Sequence, residues 1–209
     1  MRFLLWAGVE EWLTECAAVD LSGGGLRATG AQFGADPAPF RVDYRLEAPR
    51  FVTRELELTA TTEQGRRHLL LRHDGSGGWD ASVDDEGEVP GGAWEGSLPD
   101  LTQALDIDIQ NSPLTNTMPI LRGGFQASGS GDFLMAFVTT PGLRVEASPQ
   151  RYEHLRAEDG GSVVRYISRD GDFRADLELD ADGLLTFYPR LARRVEPGLR
   201  APLERGLDA

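Results

Sequence analysis

Strict alternation of apolar and polar residues dominates the chain. In Phe40-Arg41-Val42-Asp43-Tyr44-Arg45-Leu46-Glu47, the residues Phe40, Val42, Tyr44 and Leu46 take one face and the charged residues the other. Successive strand side chains point to opposite faces, so this run predicts a half-buried strand. Arg54 to Ala60 and Phe173 to Asp180 repeat the pattern. Weaker strands are predicted at Leu26 to Phe33, Arg67 to Arg72, Ile107 to Ile109, Phe133 to Thr139, Leu143 to Ala147 and Val163 to Ser168. Asp74-Gly75, Glu86-Gly87, Asp159-Gly160, Asp170-Gly171 and Asp182-Gly183 place glycine where a tight turn needs positive φ. The clearest hairpin is Leu177 to Leu185. Short turns between such strands predict antiparallel meanders and give no support to parallel βαβ units. Clean alternation also predicts that one sheet face is wet.

Helical signals are few. Leu114 to Leu121 predicts a short helix, with Thr115, Asn116 or Thr117 as cap and Pro119 confined to the first turn. Ser97 to Leu105 predicts another short helical turn, and Val9 to Val19 reads either way. The acidic, Gly-rich stretch from Asp84 to Gly96 reads as a long loop. No repeat or linker divides the chain, so residues 1–195 are expected to form one β domain and residues 196–209 a flexible tail.

Composition narrows the function. The 209 residues carry 21 basic and 34 acidic side chains, a net charge of −13, and every basic residue is Arg. Without Lys there is no Schiff-base chemistry and no Walker-type phosphate lysine. The negative charge opposes a nucleic-acid backbone, so no nucleic-acid partner is expected. One cysteine, Cys16, allows neither an internal disulfide nor a Cys-rich zinc site. No apolar run reaches the roughly 18 residues of a membrane span, so no stable membrane insertion is expected. The apolar run Phe3 to Val9 ends at Glu10-Glu11 with no Ala-x-Ala-like site after it, which favours a strand or helix start over a signal peptide. With the lone thiol, this predicts a cytoplasmic protein.

The candidate chemistry is sparse. His68 and His73 are an odd number apart and would leave a strand on opposite faces, so no metal site and no cofactor is expected. The densest polar cluster runs from Asp106 to Arg122. Asp106 and Asp108 share a strand face there and could serve as an acid/base pair if one were buried. Alternatively, their side chains fix a strand-to-helix corner, and this structural reading is the stronger. Arg190, Arg193 and Arg194, with Tyr188, follow the last strand. They could hold an anionic head group or bridge Asp106 and Asp108, and the bridge is favoured because it needs no ligand.

These residues also carry a resemblance. Asp106-Ile107-Asp108 is followed by Ser112-Pro113-Leu114-Thr115-Asn116-Thr117-Met118-Pro119-Ile120. Trp6, Glu10, Trp79, Gln150-Arg151-Tyr152, Val164-Arg165-Tyr166 and the closing run Asp180 to Arg194 complete the marks. Together they resemble the putative glycolipid-binding family of bacterial proteins. The departures are Ser112 and Leu114 in place of Thr and Phe, a less basic ending at Leu121 to Gly124, and Ala104-Leu105 in place of a Cys-containing approach. The resemblance implies a mainly β fold, a curved antiparallel sheet forming a half-barrel or open barrel with a few short helices at its mouth. It also implies non-catalytic binding of a lipid or glycolipid in the concavity, with Asn116, Thr117, Gln150, Tyr152, Tyr188 and Arg194 as candidate ligand-binding residues. Gly30, Gly34 and Gly142 mark places where such a sheet would bend. The alternatives are a hydrolase using Asp106 and Asp108, or a structural or dimerisation module whose interior is filled by its own side chains. The sequence leaves the oligomeric state open.

Overall fold

The computed structural model describes residues 1–94 and 96–196. Apart from Glu196, the expected tail lies outside the described residues. Among the described residues, fourteen strands form a single sheet. The first arm contains β1 (Arg2–Gly8), β2 (Leu13–Asp20), β3 (Gly25–Gly34), β4 (Phe40–Pro49), β5 (Glu55–Thr62), β6 (Gly65–His73) and β7 (Trp79–Gly87). The chain then crosses the molecule as β8 (Ala104–Ile109) and the short helix α1 (Thr117–Gly123). It returns through β9 (Ser130–Val138), β10 (Val145–Glu158), β11 (Gly161–Ser168), β12 (Arg174–Asp180), β13 (Leu185–Tyr188) and β14 (Ala192–Arg194). The spatial order is β7-β6-β5-β4-β3-β2-β1-β14-β13-β12-β11-β10-β9-β8. The architecture is mainly β, as alternation predicted, and the sheet is open, as the resemblance implied.

The alternating runs behave as expected. On β4 the residues Phe40, Val42, Tyr44, Leu46 and Ala48 are buried, while Arg41 and Arg45 pair with Asp43 and Glu47 on the other face. Leu56, Leu58, Leu69 and Leu71 continue the inner face across β5 and β6. Gly30 and Gly34 sit where inner rings pass. A Cβ on Gly30 would meet the Tyr44 ring, and one on Gly34 the Phe40 ring.

Three expectations are corrected. Ladder pairing is antiparallel except between β8 and β9, which run parallel through the α1 crossover. The short loops that forced antiparallel pairing elsewhere give way here to a connection long enough to cross over. Ser97 to Leu105 forms no helix and enters β8 through a turn closed by Ala104 N–H donating to Leu101 O. Asp84 to Gly87 belong to β7, paired with β6, so the long loop begins later.

β8 is an edge strand in hydrogen-bonding terms, yet Ala104, Asp106, Ile107, Asp108 and Ile109 are all buried. The sheet curls until its ends approach. Thr53, before β5, donates its N–H to Leu105 O at 2.9 Å, and Trp79 Nε1 on β7 donates to Ala104 O at 3.0 Å. These contacts stop short of a ladder, so the barrel stays unclosed. Ile107, Ile109, Leu114 and Met118 pack into the core of the first arm, whereas Ile120 joins a second core with Tyr152, Tyr166, Leu177 and Tyr188. The β8–α1 segment therefore fills the concavity between the two arms. Trp6 Nε1 donates to Leu185 O at 2.9 Å and ties the arms at their junction.

Candidate functional site

The β8–α1 segment carries a polar layer through the middle of the molecule. Asp106 and Asp108 are two residues apart on β8 and so share one of its faces. Asp108 Oδ1 accepts from Thr115 Oγ1 at 2.7 Å and Asn116 Nδ2 at 3.4 Å, and Oδ2 accepts from Gln150 Nε2 at 2.7 Å. Tyr152 donates its hydroxyl to Gln150 Oε1 at 2.9 Å. Burial pushes the Asp108 carboxyl up to about 6, with the Asp106 charge adding to it and the Gln150 and Thr115 hydrogen bonds opposing it.

Asp106 has a different partner. Arg122, in the last turn of α1, donates through both terminal nitrogens to the two Asp106 oxygens and also to Phe51 O. Burial raises the Asp106 pKa against the pull of this guanidinium. The expected bridge from the C-terminal arginines is thus corrected. Arg190 pairs with Glu10, Arg194 with Asp180 and Glu196, and Arg193 lies over the Phe187 ring. All three follow the last long strand, and their side chains find acids and a ring on neighbouring strands before they can reach β8. Arg122 thus holds Asp106, and three donors hold Asp108.

The structure brings four of the six candidate ligand-binding residues to this layer or beside it. Asn116, Thr117, Gln150 and Tyr152 are all buried. Tyr188 is buried in an aromatic row. Phe125, Phe133, Tyr152, Tyr166, Phe173 and Tyr188 follow one another with neighbouring centroids 5.6–6.3 Å apart. Phe173 ends the row at 40% exposure. Arg194 is engaged elsewhere, as described. Asn116 precedes α1, but its side chain makes no capping bond because the amide is turned to Asp108. Two oxygens here have no protein partner though buried, Asn116 Oδ1 and Thr117 Oγ1.

Sequence reasoning missed Glu15. It is 1% exposed in the middle of β2. Its carboxylate accepts from Tyr44 Oη at 2.5 Å and from Ser112 Oγ at 2.8 Å. Burial lifts its pKa to about 7 against these hydrogen bonds. The signal lay in the alternation, since Leu13, Ala17 and Val19 share its face and only Glu15 breaks the apolar set. Gln32 and Arg67 break their faces in the same way, and both are buried. Gln32 Nε2 donates to Gln110 O. Arg67 grips Asp85 with two hydrogen bonds and donates to Gly92 O and Gly142 O.

At one end of the sheet, Gln110 and Asn111 form the floor of an open mouth. One cleft of about 460 Å³ is lined by Glu11, Trp12, Asp36, Gln110, Asn111 and Thr140, among others. A smaller one of about 150 Å³ shares Glu11, Leu13 and Asn111 and reaches Phe173 and Arg190. Asn111 and Arg190 both hold left-handed backbone, at φ 62° and 69°. Such conformations are sparse for residues with a Cβ and cluster at functional sites. Neither Asp106 nor Asp108 lines either cleft. Among the described residues no group of His, Cys, Asp and Glu is arranged to hold a metal ion, and no helix is long and apolar enough to cross a membrane.

The comparisons agree with this architecture. The crystal structure of a DUF1089 family protein from Pseudomonas aeruginosa superposes with a TM-score of 0.68 at 27% identity, covering 90% of this chain and 94% of that one. No curated protein matches the chain. The family described as "Putative glycolipid-binding" matches residues 3–194, and the chain belongs to it.

Proposed function

We propose that this protein binds a lipid or glycolipid, without catalysis, on the concave face of its curved sheet. The observation that carries this reading is the aromatic row from Phe125 to Phe173. It lies in the second arm, beside the seven-residue helix α1 rather than beneath a second sheet, and it ends at a partly exposed phenylalanine beside the mouth. An acyl chain laid along such a row gains about 0.8 kcal/mol per buried methylene. Entry along the row requires Ile120 and α1 to shift outward.

The polar layer flanks the row at Tyr152 and serves polar groups of the ligand that lie along it. Asn116 Oδ1 and Thr117 Oγ1 are buried acceptors without protein partners, and a ligand hydroxyl would satisfy them. Gln150 and Tyr152 orient Asn116 through Asp108. In this reading Tyr188 contributes ring surface, and Arg194 has no direct part. A cytoplasmic location belongs to the same reading, supported by the free thiol of Cys16.

Native mass spectrometry tests the reading directly. The purified protein is incubated with palmitic acid and with a monoglucosyl diacylglycerol, and the complexes are weighed. A one-to-one mass shift with either supports it. An unshifted mass with both overturns it and leaves a module filled by its own side chains.

A further inference from the structure

The mouth carries features that the fold does not require. Trp12, in the turn between β1 and β2, is 90% exposed, the most exposed of the large apolar side chains among the described residues, and it borders the 460 Å³ cleft. Burying such a side chain would stabilise the fold, so full exposure beside a cleft marks a surface for a ligand. The cleft volume lies within the range of about 300–1,000 Å³ common for small-molecule sites.

The polar groups around it are poorly satisfied by the protein. Thr140 Oγ1 is buried and has no partner. Gln110 uses its Oε1 to accept from Thr140 N–H at 2.8 Å, and the Asn111 side chain bonds no other described residue. Gln32, which donates to Gln110 O behind the floor, keeps a buried Oε1 unpartnered as well. Buried polar atoms without partners are rare, and a hydroxyl-rich ligand is one way to satisfy those that line a cleft.

Charge selects among ligands. Glu11 and Asp36 line the cleft, and the nearby Arg190 is already paired with Glu10 at 3.2 Å. A phosphate or carboxylate would meet like charge, with no free cation among the described residues that line the cleft. A neutral sugar instead offers hydroxyls that carboxylates and amides bond, and an apolar ring face that an indole covers.

We propose that the cleft bordered by Trp12, Asn111 and Thr140 binds a neutral hexose, as the head group of the ligand. This deepens the glycolipid reading and rests on it. Phe173 lines the adjoining small cleft, so a sugar seated here would stand at the open end of the aromatic row. Trp12 covers the pyranose face, and Asn111, Gln110 and Thr140 bond its hydroxyls.

The test uses methyl glucoside, methyl galactoside and methyl mannoside as soluble probes, with palmitic acid as a sugar-free control. Saturation-transfer NMR is read on the intact protein and on Trp12→Ala and Thr140→Val, each checked by thermal melting. At least one hexoside is expected to bind, weakened about tenfold or more by Trp12→Ala and severalfold by Thr140→Val, with both variants melting like the parent and binding palmitic acid equally. Binding of no hexoside, or undiminished binding by Trp12→Ala, overturns the proposal. Hexoside binding without palmitic acid binding supports the cleft while removing the acyl-chain site. Palmitic acid binding without hexoside binding does the reverse.

Discussion

Tyr44 donates its hydroxyl to Glu15 Oε1 at 2.5 Å across β3, in the interior of the first arm. Gly30, paired opposite Tyr44 and Ala17, leaves the room in which the ring lies. Ser112 reaches the same carboxylate from the segment between β8 and α1. One acidic side chain therefore ties the wall of the half-barrel to its filling.

Glu15 makes stability fall as pH rises. Its pKa is raised from 4.5 to about 7 on folding. Between these values the folded state binds more protons than the unfolded state, so stability present at pH 4.5 is lost as pH rises through 7. The shift corresponds to about 3 kcal/mol. Glu15→Gln removes this contribution. Urea titrations at pH 5 and pH 8 should show the variant gaining on the parent by about that amount at pH 8. Equal differences at both values would contradict a neutral Glu15 in the folded protein at pH 5.

Arg122→Ala should destabilise strongly. It leaves Asp106, which is 0% exposed, without its counter-charge. Removing one partner of a buried pair costs about 3–5 kcal/mol. Asp106→Asn/Arg122→Met, which removes both charges, should recover much of that loss in the same denaturant titration.

Gln150→Ala separates structural from binding roles. The substitution strips Asp108 Oδ2 and the Tyr152 hydroxyl of their partner. Buried groups left unsatisfied cost about 1–3 kcal/mol. A melting temperature lowered by several degrees is expected even without ligand. An unchanged melting temperature would assign Gln150 to the ligand alone.

Gly30→Ala should overpack the first arm. The added methyl meets the Tyr44 ring and the Cys16 carbonyl. Overpacking of this kind costs about 1–3 kcal/mol. Gly30→Ala combined with Tyr44→Phe should remain destabilised, because the clash is with the ring as well as the hydroxyl. Guanidinium titration of the single and double variants checks both expectations.

Alternation alone determined that this chain is mainly β with one wet sheet face, because the pleat converts a period of two directly into inside and outside; the curvature came with the family resemblance. Phe40 to Leu46 and the hairpin at Asp182-Gly183 needed nothing further. Spacing also placed Asp106 and Asp108 on one face of one strand. The segment Thr115 to Ile120 was legible as a short helical corner and as a family mark, since Pro119 permits a helix only in its first turn, but the expected side-chain cap is absent because Asn116 turns to Asp108. Partners across the sheet were not legible. Which arginine meets Asp106 depends on how far the sheet curls, and that brought Arg122 into place while Arg190, Arg193 and Arg194 found nearer partners. Glu15 was visible as a break in an apolar face, but its bonds to Tyr44 and Ser112 span 29 and 97 residues of sequence separation. Equally, an alternating strand reads the same whether its apolar face meets a cavity or a filling. Only the tertiary structure decided that β8 and α1 occupy the concavity, because burial of both faces of β8 arises from the curling of the whole sheet and from no local pattern.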